Sequence, residues 1–455
     1  MEPRPDSRKT PAWCWFAALF AVVLLTRLPF IGVEYGREFD AWRVARAAQH
    51  IAESGQYEAS RAPGYPVQEI VCSWIWRGGP LAINGATAFF SALAATALAA
   101  VARRMGGAHW WLAGLAFAAV PVVFLGSVNG KDYLWSLAFA LLSVCAVLRA
   151  KPVLAGVLLG LAIGCRITAA AMILPLGLML LGEMPRAARI GGIARLLLAT
   201  FATGLAAFSP VLLRYGWSAL TFYESLGRPT WKAVLTLGTL DVWGVAGLVG
   251  ISIAAVGGCF RLLRREPPPA SGNALLTPAL ALMAAIYLVA YLRLPHQAGY
   301  LIPFVAAVIL LAARWCPRPA FAACAGCLLV SPLVSVSGKG IGAGCIFTDH
   351  AQRVQNTASV RRFLEFAESI PGRNAIVVGA WEPQIAVLAP ELLHGRNDYF
   401  YTLGEKELAP LLRAGRPVWF MPEIREFNLR VNRLDLAARG ARDLRLARAA
   451  PVPAP

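Results

Sequence analysis

Charge is scarce in this chain, and acid is scarcer than base. Asp, Glu, Lys and Arg make up only 15% of the 455 residues, with 25 acids against 43 basic residues. With hydrophobic residues at 58%, that scarcity excludes an ordinary soluble domain and places the chain in a bilayer. The formal net charge of +18 does not point to nucleic acid, because the basic residues fall in short clusters between apolar runs, where anionic lipid head groups meet them. Nine cysteines, an odd number, exclude a complete disulfide framework. Cys324 and Cys327 form a CxxC inside an apolar run with no matching second pair, which reads as small helix-packing residues rather than a metal site. The first apolar run lacks a small-x-small cleavage site, so no cleavable signal peptide is expected. Internal repeats and low-complexity tracts are also missing; only Pro267, Pro268 and Pro269 stand out, as a linker.

What is there is a series of apolar runs long enough to cross a hydrocarbon core of about 30 Å. They fall near 13–33, 81–102, 109–127, 133–149, 196–213, 241–260, 274–292, 298–313 and 319–336. The stretch 152–182 is too long for one ordinary span and carries Arg166 near its centre, so it is read as two short helices that turn at Arg166. The expectation is a mainly α, polytopic membrane protein of about eleven spans. Basic clusters at Arg4, Arg8 and Lys9, then at Arg103 and Arg104, Arg149 and Lys151, Arg186 to Arg195, Arg261 to Arg265, and Arg314 and Arg318 all fall on one side in this count, which marks the cytoplasm. The chain then divides into a cytoplasmic N-terminus (1–12), a membrane domain (13–336) with an outer loop at 34–80, and an extracytoplasmic C-terminal segment (337–455).

The outer loop opens with Glu38 and Asp40. From Asp40 to Ser54, Ala41, Val44, Ala45, Ala48, Ile51 and Ala52 recur at helical spacing, and Gly55 closes the pattern, so an amphipathic surface helix is expected. A second outer loop, 214–240, mixes Arg214, Tyr223, Glu224, Arg228, Trp231 and Lys232. In the C-terminal segment, 375–379 and 417–421 read as short buried strands between helices at 350–369 and 404–414, which predicts a small α/β domain.

The order of these features resembles the GT-C class of integral-membrane glycosyltransferases, in the branch containing the protein O-mannosyltransferases and the lipid A aminoarabinose transferase. Arg61-Ala62-Pro63-Gly64-Tyr65-Pro66 looks like that branch's Arg-x-Pro-x-x-Pro loop, and Asp132 matches its second acid. Pro295 to Pro303 is similar to a late Arg-Tyr-x-x-Pro segment, with Gly299 where the arginine stands and Tyr300 after it. The resemblance implies transfer of a sugar from a polyprenyl-phosphate carrier at the outer face of a bacterial-type inner membrane. The acceptor stays unassigned, membrane lipids surround the chain, and no cofactor is called for. An acid-x-acid pair such as Glu38-Phe39-Asp40 also suits divalent metals, and a metal is left unassigned.

In such chemistry a carboxylate takes the acceptor proton and fixed cations stabilise the leaving phosphate. Asp40, Glu38 and Asp132 are the catalytic candidates, and spacing leaves open whether Glu38 or Asp40 is the base. Arg61, Lys131, Arg166, His296 and Tyr300 are the candidate phosphate contacts. Structural alternatives stand beside each: Asp40 and Asp132 as helix caps, Arg166 snorkelling to the interface, His296 as an interfacial residue, and Glu69 assisting substrate or facing water. The rival functions are a transporter or flippase of lipid-linked saccharide, which needs repeated halves and midplane polar groups, and a membrane scaffold.

Overall fold

The computed structural model describes residues 11–107, 109–220, 229–266, 273–338, 340–392 and 395–444. Helix α1 (Ala12–Leu25) runs into a 3-10 turn at Leu28–Phe30. After the loop at 31–38 come α2 (Phe39–Ser54) and α3 (Pro66–Ile75), so the segment expected as one outer loop holds two helices. The apolar face of α2 is buried as its spacing predicts, and Gly55 ends it with a positive φ of 68°. The bundle continues with α4 (Gly79–Arg104), α5 (Trp110–Ala119) and α6 (Pro121–Ser127). Pro121, which cannot donate to a continuing helix, bends α5 and α6 apart by 72° where one straight span is expected. Then follow α7 (Tyr133–Val147), α8 (Pro152–Cys165), α9 (Ile173–Glu183), α10 (Arg189–Tyr215), α11 (Trp231–Gly238) and α12 (Leu240–Leu263). The last of the bundle are α13 (Leu276–Arg293), α14 (Ile302–Trp315) and α15 (Arg318–Val330). Tyr223, Glu224, Arg228, the three consecutive prolines and the N-terminal basic cluster lie outside the described residues.

Among the described residues six helical stretches are long and apolar enough to cross a membrane, the bent pair α5 and α6 is a seventh candidate, and α7, α8, α9 with the turn before it, and α15 are shorter apolar helices. The long stretch at 152–182 does break at Arg166, whose extended backbone (φ −156°, ψ 118°) separates α8 from a 3-10 turn at Ile167–Met172. The last run ends sooner than expected: α15 stops at Val330, and residues up to 343 form a hairpin of β1 (Val334–Ser337) and β2 (Gly340–Ala343).

Within lipid, helices gain little from apolarity alone and associate through close packing of small residues. Gly156, Gly160 and Gly164, spaced by four on α8, face α10 and its neighbours so closely that a Cβ on Gly156 would lie 2.5 Å from the Leu196 carbonyl oxygen and one on Gly160 2.5 Å from the Thr203 Cβ. Gly250 on α12 meets the backbone of Cys324 and the Cβ of Cys327 in the same way. The CxxC is thus part of a packing seam.

Beyond the hairpin, α16 (Cys345–Ser369) leads to β3 (Ala375–Val377), α17 (Glu382–Leu388), β4 (Asp398–Phe400), α18 (Glu405–Arg413), β5 (Val418–Phe420), α19 (Arg425–Asn432) and β6 (Arg442–Asp443). The strands form one parallel sheet in the order β4-β3-β5-β6. Its apolar strands are buried between Val360, Phe363 and Ile385 on one side and Leu403, Leu408 and Leu436 on the other.

This segment grips the loop and helix that carry the two acids. Buried Arg353 of α16 donates to the Val128 carbonyl (3.1 Å), Arg46 of α2 pairs with Glu382 of α17, and Arg43 stacks over both Phe39 (4.7 Å) and Tyr401 (4.9 Å). Thr357 donates to Glu34 (2.7 Å), leaving the other Glu34 oxygen buried without a hydrogen-bond partner. Burial pushes the Glu34 carboxyl up to about 7, against the opposing pull of Thr357, Asn356 and Arg353. A raised folded-state value means that the unfolded chain ionises first. Stability therefore falls as pH rises from 4.5, the ordinary value, towards 7. Thermal unfolding in detergent across this range is expected to show that decline in the wild type and a flatter profile in Glu34→Gln.

Candidate active site

Three separate loops deliver the charged residues to one end of the bundle. Asp132 sits at the N-cap position of α7, yet its side chain makes no capping bond. It is fully buried, and its two oxygens are taken by two arginines: Arg61 at 2.5 Å and Arg166 in an equally close pair. A carboxylate shut away from water needs such partners, and two guanidinium groups satisfy both of its oxygens. Arg166 therefore does not snorkel outward. The break between α8 and the 3-10 turn aims it inward, where it stacks on Tyr133 (4.1 Å) with Tyr300 (5.3 Å) and Tyr65 (5.7 Å) beside it. Arg61 lies over Tyr65 at 4.2 Å.

Arg61 also links the second acid. Its Nε is 3.7 Å from Asp40, which accepts a hydrogen bond from the Gln297 amide at 3.1 Å. Asp40 is in the first turn of α2, while Glu38 occupies the N-cap position without a capping side-chain bond. Burial alone pushes the Asp40 carboxyl up, but Arg61, Lys131 and the Gln297 amide outweigh it and hold the group below its ordinary 3.8. Asp40 is thus ionised at neutral pH. Glu38, about half exposed, pairs with the nearly buried Lys131. Three cations and three carboxylates are interleaved here, and one donor is left over: the Nη1 of Arg61 is buried and has no hydrogen-bond partner.

Two cavities flank this cluster. The larger, about 600 Å³, is lined by Arg37, Glu38, Lys131, Asp241, His296 and Gln297 among others. The smaller, about 320 Å³, is walled mainly by apolar side chains such as Leu137, Met172, Met283 and Leu294, with Arg166 and Tyr300 on its lining. Tyr133 and Gly299 border both. Asp40 itself lines neither, standing behind Gln297 and Glu38. His296 belongs to the larger cavity and is apart from the arginine pair. At Gly299 a Cβ would lie 2.9 Å from the Tyr133 ring, so any side chain there would displace the ring on which Arg166 stacks.

Sequence reasoning missed several members. Gln297 joins Asp40 to Tyr133, whose hydroxyl donates to the Gln297 carbonyl oxygen, but an uncharged amide gives no signal in an apolar chain. Tyr65 lies within the loop that carries Arg61, and Tyr133 follows Asp132, but an aromatic beside an interface gives no specific signal of a site. Glu69 neither faces water nor lies on either cavity. Fully buried, it accepts from the Ser60 amide (2.7 Å) and hydroxyl (2.5 Å), the Tyr65 amide (3.0 Å) and the Tyr57 hydroxyl, and so fixes the loop that presents Arg61. Among the described residues no group of three or more His, Cys, Asp or Glu is disposed to hold a metal ion. Because Asp132 is the shared counter-charge of two buried cations, Asp132→Asn should destabilise the fold by about 3–5 kcal/mol. Lys131→Gln, which loses a pair with a half-exposed partner, should cost much less; thermal unfolding in one detergent compares the two.

No protein-family model matches the chain, and no curated protein sequence matches it. Among solved structures, it is similar to the crystal structure of ArnT from Cupriavidus metallidurans bound to undecaprenyl phosphate, at 15% identity over 95% of this chain and 90% of that one, with a TM-score of 0.53. The apo structure of the same ArnT matches at 17% identity over 66% of this chain and 59% of that one, TM-score 0.45. The cryo-EM structure of the arabinosyltransferase EmbB from Mycobacterium smegmatis matches at 18% identity, TM-score 0.45, over 73% of this chain, which spans only 32% of EmbB. With nearly the whole of both chains superposed in the first of these, the fold of this protein is that of the GT-C membrane glycosyltransferases.

Proposed function

We propose that the chain is an inverting glycosyltransferase that moves a sugar from a polyprenyl-phosphate carrier to an acceptor hydroxyl at the outer face of a bacterial-type inner membrane. The observation that carries this reading is the orphaned Arg61 donor, buried between Asp40 and Asp132 and beside Arg166. A buried guanidinium N–H with no acceptor costs free energy, and a phosphate oxygen removes that cost. The ArnT structure that shares the fold has undecaprenyl phosphate bound. In this chain the smaller, apolar cavity suits the first isoprene units, with the phosphate against Arg166 and Tyr300 on its lining and Arg61, which lines neither cavity, behind them on the shared Asp132. Lys131 and His296, on the larger cavity, suit the sugar and the acceptor.

The acceptor oxygen attacks the anomeric carbon as the carbon–oxygen bond to phosphate breaks, and the phosphate departs with the bonding pair. Asp40 takes the hydroxyl proton. Its lowered proton affinity makes it a weak base, so proton transfer accompanies formation of the new bond rather than preceding it. The arginines stabilise the charge that develops on the leaving phosphate. One observation favours a second assignment: Glu38 lines the larger cavity and Asp40 does not. In that version Glu38 is the base, and Asp40 orients Arg61 and Gln297.

Counting the bent pair and the four shorter apolar helices as crossings gives eleven, an odd number that puts the two ends on opposite sides; the basic clusters favour the N-terminus in the cytoplasm and the segment after 337 outside. The rival transporter reading calls for polar groups meeting at mid-membrane from repeated halves. Here the charged cluster gathers at the ends of α7 and α8 and on a surface helix, which supports transfer at one face. With purified protein and a polyprenyl-phosphate sugar, Asp40→Asn should lower kcat about 10²–10⁴-fold at equal expression. If Asp40→Asn keeps the wild-type rate and Glu38→Gln loses it, the base is Glu38; if neither loses rate, the transferase reading fails.

A further inference from the structure

The hairpin after α15 has two chemically different faces. Paired residues of an antiparallel ladder point to the same side, and neighbours along a strand to opposite sides. The register pairs Val334 with Ala343 and Val336 with Ile341, so these four apolar residues share one face. Ser335 pairs with Gly342, and the glycines at 340 and 342 give the other face no side chain at all on the second strand. Ile341 is 81% exposed, and nothing lies within 4 Å of the Cβ positions of Gly338, Gly340 or Gly342. On the apolar face itself Val336 and Ala343 are exposed as well, while Val334 is half-buried.

The hairpin's position identifies what covers that face. Exposed apolar residues follow one another along the chain from Leu329 and Val330 at the end of α15 through Leu333 to Val336 and Ile341 of the hairpin. Helix α15 packs against the long span α12, with Gly250 seated between Cys324 and Cys327 and Ser331 bonded to the Trp243 carbonyl near the first turn of α12. The hairpin therefore leaves the bundle at the level where α12 begins, which is also where Asp241 and Ser331 border the larger cavity. Its first strand, Val334 to Val336, forms part of that cavity's rim. We propose that the hairpin is a membrane-seated rim: its Val334, Val336, Ile341 and Ala343 face lies in the lipid interface beside α15, holding the mouth of the larger cavity at the bilayer surface. A two-stranded ribbon that buries one apolar face in lipid is stabilised as an interfacial helix is, by removal of that face from water.

This inference concerns where the hairpin sits and holds whether or not the chain transfers sugar, so its test does not use activity. The full chain in nanodiscs of phosphatidylcholine and phosphatidylglycerol, carrying a benzophenone amino acid at Ile341 or at Val336, is irradiated and its intact mass measured. Lipid adducts are expected at both positions, in yield comparable to a control at exposed Leu213 on α10, and lost when the same label is placed at exposed Glu405. Both substitutions are at exposed positions, so folding is not at risk. Adduct at Leu213 with none at Ile341 or Val336 would overturn the proposal.

Discussion

One buried carboxylate shared by two arginines holds the functional end of this molecule together. Asp132 has no water to turn to, and Arg61 and Arg166 come from the loop before α3 and from the break after α8. Each cation alone would make that end costly to bury. Together with Asp132 they carry one net positive charge, which Asp40 beside Arg61 balances, and the knot fixes two distant stretches of chain against α7. The surrounding tyrosines, Tyr65, Tyr133 and Tyr300, stack against the guanidinium groups. Around the knot, Glu69 secures one loop through four hydrogen bonds, and the C-terminal sheet secures α2 through Arg43 and Arg46.

This construction explains how a site for charged chemistry persists beside lipid. The positive and negative groups of the cluster satisfy one another, apart from the Arg61 Nη1 donor, so no large uncompensated charge is stored. In the proposed reaction an arriving phosphate would find hydrogen-bond donors already oriented, which avoids reorganisation at the moment of reaction. The two cavities meet at Tyr133 and Gly299, and the absence of a side chain at 299 is what allows the Tyr133 ring to lie between them.

Much of this architecture was legible in the sequence because lipid imposes a coarse rule: apolar runs become helices. The charge at Arg166 correctly marked a break, since an arginine is not left in the middle of a straight span, and the spacing of Ala41, Val44, Ala48 and their neighbours marked α2. The individual charged residues were legible for the same reason, as ionisable groups are expensive there. Their partners were not. That Asp132 bridges Arg61 and Arg166, that Gln297 reaches Asp40, and that Glu69 turns inward all depend on contacts between residues far apart in the chain, which no local pattern encodes. Pro121 was a readable signal for the bend between α5 and α6, and Pro332 for the hairpin, but both lie inside hydrophobic runs whose apolarity masked them.

The account rests on the claim that the Arg61 and Arg166 cluster holds a lipid-borne phosphate. The direct measurement is the affinity of the purified protein for farnesyl phosphate and for farnesol, which share a tail and differ in the head. Charge-assisted hydrogen bonds of about 1.5–3 kcal/mol predict that the phosphate binds roughly ten- to a hundredfold more tightly, and that Arg61→Ala narrows the gap. Equal affinities for the two ligands in the wild-type protein would contradict it.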